Sequence, residues 1–97
     1  MSKLHIHPGI QIKLELEDIA MSANHLAKEL DIPQNRLSEI IRGRRGITAD
    51  TALRLSVWQG TSPEYWMNLQ RNYELDLAEE RSGEEIRKRV KRYSAAA

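Results

Sequence analysis

Residue patterning predicts an all-α chain of five helices followed by a short basic extension. Two observations carry this reading. Apolar residues recur at intervals of three and four along most of the 97 residues, and no stretch alternates apolar with polar as a half-buried strand does. The segments so marked are punctuated by residues that begin and end helices: Ser22, Thr48 and Ser62-Pro63-Glu64 as starts, Gly43 and Gly60 as stops. A chain of this size buries about 60–70% of its unfolded surface, enough for one helical core without staples. We place that domain at residues 1–81 and a basic tail at 82–97.

Taken in order, Pro8-Gly9 open a first helix running to about Ile19, with Ile10, Ile12 and Leu14 inward and Lys13, Glu15, Glu17 and Asp18 outward. Ser22 caps a second helix over residues 23–30, whose buried stripe is Leu26, Ala27 and Leu30. Asp31 and Ile32 form a tight turn. Pro33 suits the first position of a third helix, where its missing N–H removes no bond, and this helix runs to about Arg42. Leu37, Ile40 and Ile41 are its inward residues, and Gly43 stands where a left-handed C-terminal residue is expected. Arg44, Arg45 and Gly46 make a basic loop. Thr48 caps a fourth helix over 49–59, with Ala52, Leu53, Leu55 and Trp58 as packing residues. The fifth starts at Pro63 and brings Trp66, Leu69 and Tyr73 to one side. Ser82-Gly83 breaks its pattern, and residues 84–93 read as a short basic helix of a length that is marginal alone in water.

The net charge of +1 is unevenly distributed. Residues 1–32 sum to −2, 33–54 to +3, 61–81 to −3 and 82–97 to +3. Such blocks suit different faces for different partners, and suit a mixed solvated surface nearly as well. The absence of cysteine excludes disulfides and thiolate metal sites. No basic-then-apolar leader pattern and no membrane-length apolar run is visible, so a cytoplasmic location is expected. Glu15, Glu17 and Asp18 have no partner suggesting acid–base chemistry, and neither a Gly-rich phosphate loop nor a nucleophile–base signature occurs. We expect no enzyme and no cofactor. His5, His7 and His25 read as surface histidines, because a metal site needs a further ligand on an ordered scaffold.

The informative stretch is ANHLAKELDIPQNRLSEI, residues 23–40. Two helices crossing closely need a small residue at the crossing, supplied by Ala27. They need a sharp turn four residues later, supplied by Asp31. Apolar residues must then dock the second helix on the first, as Ile32, Leu37 and Ile40 do. This is the pattern of a helix-turn-helix, whose second helix enters the DNA major groove. Gln34 and Asn35 stand at its N-terminal end, where amides can bond adenine bidentately. Arg36 suits guanine or a phosphate, and Ser38 a base or a phosphate. Glu39 could accept from cytosine, or hold Arg36 or Arg42 in place. We assign Gln34, Asn35, Arg36, Ser38 and Glu39 to base reading. Ser22 and the amides it caps form a natural phosphate site, and Arg44 and Arg45 would grip the backbone beyond the recognition helix. Asn24, Arg42 and Thr48 are placed with these three as phosphate contacts.

These residues resemble the Cro/repressor-type (XRE) helix-turn-helix family and, more narrowly, its HigA or VapI-like antitoxin branch. IHPG at residues 6–9, QNRLSEIIRGRRGITADTALRL at 34–55, GTSPEYWMNLQ at 60–70 and YELDLA at 73–78 carry the likeness. It implies a five-helix repressor-like domain acting as a homodimer on operator DNA in its own promoter. It also implies neutralisation of a RelE-like (HigB-type) ribonuclease toxin by direct binding. By the family pattern, Gln34, Asn35 and Ser38 would read bases, and Ser22, Arg44 and Arg45 would contact phosphates. Asp31 departs from the Gly common at the turn, though Asp tolerates a left-handed backbone better than most residues. The likeness stops at about Arg81.

A dimer is mechanically apt, because one small module buries little area and half-sites lie about one DNA turn apart. Tyr65, Trp66, Met67 and Leu69 are the residues assigned to a dimer seam, although the cluster of Trp58, Tyr65 and Trp66 also reads as core. The RKRVKR run at 87–92 suits a solvated tail, added phosphate contacts or an acidic partner. An orphan regulator without a toxin is the competing function, and a protein-interaction module that lost DNA binding is a third.

Overall fold

The computed structural model describes residues 6–94 and contains five helices: α1 (Pro8–Asp18), α2 (Ala23–Leu30), α3 (Gln34–Ile41), α4 (Ala49–Gln59) and α5 (Pro63–Arg89). No strand occurs among the described residues. The expected caps form. Ser22 Oγ accepts from the His25 amide at 3.1 Å, Thr48 Oγ1 from Thr51 at 3.4 Å and Ser62 Oγ from Tyr65 at 3.4 Å. Pro33 sits one place earlier than expected, as the N-cap: its ψ of 140° or so is extended (141°), and its carbonyl accepts from the Arg36 and Leu37 amides.

The core comprises Ile12, Leu16, Leu26, Ala27, Leu30, Ile32, Leu37, Ile40, Ile47, Ala52, Leu55 and Trp66. It lies between α3 and the helices that cover it: α1 and α2 pack on α3, α4 packs on α2, and α5 closes against α1 and α4. The inward face of α1 differs from the sequence reading. Ile12 and Leu16 are buried, whereas Ile10 and Leu14 are exposed. Gly9 sets this choice. A Cβ there would overlap the Ile40 carbonyl, so α1 approaches α3 through Gly9 and turns positions 9, 12 and 16 inward. Leu53, expected to pack, is also exposed, and Ile41 is only half-buried. Trp66 is fully buried.

The break expected at Ser82-Gly83 does not occur, and α5 runs unbroken for 27 residues to Arg89. One interior glycine costs a helix only about 1 kcal/mol, which a strong flanking pattern tolerates. Here an ion pair between Glu79 and Arg87, at 2.8 Å, passes over Gly83. Glu64 in the first turn and Arg87, Lys88 and Arg89 in the last complement the helix dipole. Residues 84–89 are therefore the end of α5, not a separate helix. The outer turns project from the body and extend the molecule to 58 Å. No helix of the described residues is long and apolar enough to cross a membrane.

Candidate nucleic-acid interface

α3 is presented by two connections. The first is the turn from α2. Asp31 adopts φ 56° and ψ 50°, the left-handed region the turn requires. Its amide donates to the Lys28 carbonyl at 3.1 Å, and the next amide, of buried Ile32, donates to Ala27 at 3.0 Å. The last carbonyls of α2 need donors from elsewhere. Arg54 of α4 supplies them, with Nη1 donating to the carbonyls of Leu30 and Asp31, each at 3.0 Å. Arg54 Nε also donates to Asp50 Oδ2 at 2.9 Å, and Asp50 in turn receives Arg36 Nη1 at 3.2 Å. The Asp50 carboxyl is held below the ordinary aspartate pKa, chiefly by the hydrogen bond from Arg54 and further by Arg36. One carboxylate thus ties the recognition helix to the arginine that closes the turn.

The second connection is the basic loop from Gly43 to Ile47. Gly43 takes the expected left-handed conformation with φ 76°. The Arg44 amide donates to the Glu39 carbonyl at 2.8 Å. Arg44 and Arg45 are exposed, and Arg45 lies 3.5 Å from Glu39. Arg45, rather than Arg36 or Arg42, is therefore the cation that Glu39 holds. An open cleft of about 310 Å³ between the loop and α4 is lined by Arg36, Arg45, Gly46, Thr48, Asp50 and Arg54, three of them cationic.

Gln34 and Asn35 are exposed on the first turn of α3, and Ser38 and Glu39 are half-buried one turn later. These four stand on one element, with Arg36 drawn toward Asp50. Arg42 is exposed as the C-cap. Ser22 and Asn24 line a second open cleft with His25, Lys28 and Glu29, at the N-terminus of α2. The Ser22 oxygen already accepts from His25, and Thr48 both caps α4 and donates to Thr51 Oγ1 at 3.3 Å. Of the four residues assigned to a dimer seam, Tyr65 and Met67 are exposed, Leu69 packs partly on the core and Trp66 lies inside it. Tyr65 meets Trp66 edge-on at 5.2 Å.

Sequence reasoning missed the roles of four residues that shape this surface. Asp50 and Arg54 stand i, i+4 on α4, a spacing that suits an ion pair, but nothing local signals their reach to Arg36 and to the α2 carbonyls. Gln70 was unremarked, yet it is buried and its Oε1 accepts from the Ile47 amide at 2.7 Å. His7 was read as a surface histidine and is buried. Its Nδ1 accepts from the Gly9 amide at 2.9 Å, capping α1, and its ring stands edge-on to Tyr73 at 4.9 Å. Burial lowers its pKa below the ordinary histidine value, partly offset by a hydrogen bond to the backbone of Arg45. His25 is exposed and lies 3.6 Å from Glu29, while His5 falls outside the described residues.

The helix-turn-helix family profile matches residues 12–66. An addiction module antidote protein of a HigA family from Coxiella burnetii superposes with a TM-score of 0.90 at 50% identity, over 94% of this chain and all of that one. The chain belongs to the HigA antitoxin branch of the helix-turn-helix family. The family is one of DNA-binding regulators and antitoxins, not enzymes. Virulence-associated protein I of Dichelobacter nodosus is 46% identical over 76 residues, covering 77% of this chain and 70% of that protein. The Pseudomonas aeruginosa antitoxin HigA, solved with the higBA promoter, superposes with a TM-score of 0.88 at 35% identity, over 94% of this chain and all of that chain.

Proposed function

We propose that this chain acts in the cytoplasm as a homodimeric autorepressor. It binds an operator in the promoter of its own operon and neutralises a RelE-like, HigB-type ribonuclease toxin by direct binding. The observation that carries the DNA half is the exposure of Gln34 and Asn35 at the N-terminal turn of a docked α3, between the α2 N-terminus and the Arg44-Arg45 loop. Side chains at that end of a recognition helix reach base edges, and the flanking donors meet phosphates on either side. The promoter bound by the P. aeruginosa HigA relative supports the same reading. Dimerisation supplies the second half-site, and exposed Tyr65 and Met67 offer aromatic and thioether surface for the seam. The toxin half rests on membership of an antitoxin family.

A gel-shift titration against the DNA upstream of its own gene and a scrambled duplex, at two salt concentrations, tests this. Preferential, salt-sensitive binding to the upstream DNA is expected. Asn35→Ala should cost about 1–3 kcal/mol there and relax sequence choice, whereas Arg44→Ala should weaken binding to both duplexes and lower the salt slope by about one unit. Equal weak binding of the wild type to both DNAs would overturn operator recognition. Co-purification with the product of the neighbouring gene tests the toxin half.

A further inference from the structure

His7 and Gln70 are buried polar side chains that the DNA-binding surface does not use directly, and both end on the same loop. We propose that they form a two-point clamp that positions the Arg44-Arg45 loop for phosphate contact. This rests on the DNA-binding reading above and names positioning residues within it.

The geometry is specific. His7 Nδ1 accepts from Gly9, which leaves Nε2 as the protonated nitrogen. The ring also stands against the Arg45 backbone, a contact that partly offsets the lowering of its pKa by burial. The same ring lies 3.8 Å from where a Cβ on Gly43 would stand and meets Tyr73 edge-on at 4.9 Å. Gln70 holds the far end: its Oε1 takes the Ile47 amide, and its Nε2 lies 2.8 Å from the position of a Cβ on Gly46. The buried Ile47 amide needs a partner, which Gln70 supplies, and the His7 ring against Gly43 limits the path of the loop at its other end. Between the two holds, the guanidinium groups of Arg44 and Arg45 remain exposed. The loop takes its shape from residues 38 positions upstream and 23 downstream of its ends, His7 to Arg45 and Ile47 to Gln70. Pre-ordering a loop that carries phosphate contacts removes an entropy cost at binding.

His7→Asn separates the clamp from the cap. Asparagine is among the strongest N-caps and keeps the bond to Gly9, but it is too short to reach Arg45 and Tyr73. The probes are a duplex of the DNA upstream of the gene and a random duplex of equal length. We expect His7→Asn to fold with a modestly lower melting temperature, to lose about 3–10-fold in affinity for both duplexes, and to lower the salt slope by up to about one unit. In an Arg44→Ala/Arg45→Ala background the same substitution should have no further effect on affinity. Gln70→Glu, which keeps an acceptor for Ile47, should retain more loop order than Gln70→Ala. Amide exchange of residues 44–47, read without DNA, should quicken in His7→Asn and in Gln70→Ala. Unchanged exchange and unchanged affinity in His7→Asn, or an equal loss in the double-alanine background, would overturn the clamp. A wild type that binds neither duplex while its loop exchange still responds to His7→Asn would overturn the DNA reading and leave the clamp as a fact of the fold.

Discussion

The recognition helix is entered and left through two connections of different construction. The entry turn is short, with a left-handed Asp31, buried Ile32, and carbonyls satisfied by Arg54. The exit loop is longer and basic, and its backbone is held by His7 and Gln70. The entry turn rests on an apolar anchor and on a guanidinium that Asp50 holds in place. A neutral imidazole and an amide make the exit loop a place where a proton, or a single lost bond, changes the geometry. The contrast separates two tasks: the turn fixes the angle of α3 against the core, and the loop fixes where two cations stand beside it.

Three measurements break or sharpen this contrast. The largest effect is expected from Gln70→Ala, which leaves the buried Ile47 amide without its acceptor and should cost about 1–3 kcal/mol in denaturant unfolding. A change within about 0.5 kcal/mol would mean that water or a shifted backbone replaces the side chain, and that the loop is not held as described. Arg54→Ala comes next. It removes two donors from the end of α2, for about 1–2 kcal/mol, and DNA affinity should fall with it because Asp50, the tether of Arg36, loses the guanidinium that orients it. Loss of stability with DNA affinity intact would confine Arg54 to the turn.

The smallest effect concerns pH. Folding lowers the His7 pKa from the ordinary value of 6.5, so its neutral form contributes stability that is fully present above that value. As pH falls from about 6.5 through the folded pKa, the unfolded chain takes up the proton first, and this contribution is lost. Protonation also removes the Nδ1 acceptor that caps α1. Unfolding measured between pH 8 and pH 5 should therefore show wild type losing stability relative to His7→Asn over this range. Parallel curves for the two proteins would show that His7 does not titrate with folding.

How much was legible follows the same division. The entry turn could be read in advance: Ser22, Ala27, Asp31 and Ile32 act within a few residues of themselves, and each adopted the role its chemistry suggested. Arg36 was legible as a cation of the recognition helix, but not as the partner of Asp50 fourteen residues away. His7 looked like a solvated histidine because nothing within its own stretch of chain would bury it, and Gln70 looked like any polar position on a long helix. The first helix offered two apolar stripes of equal spacing, and only contact with Ile40 selected the one containing Ile12 and Leu16. At Ser82-Gly83 the reading erred in the other direction, giving a local breaker more weight than about 1 kcal/mol of propensity can carry inside a 27-residue helix.

By itself, the order of residues determined five helices, the caps at Ser22, Thr48 and Ser62, the turn before α3 and the basic loop after it, because those depend on short-range hydrogen bonds and on the periodicity of apolar groups. The tertiary structure alone decided which face of α1 points inward, which carboxylate holds Arg36, and which buried side chains grip the loop. Those outcomes depend on groups 14 to 38 positions apart finding unsatisfied backbone or charge in the same small volume, and no local pattern encodes such a meeting.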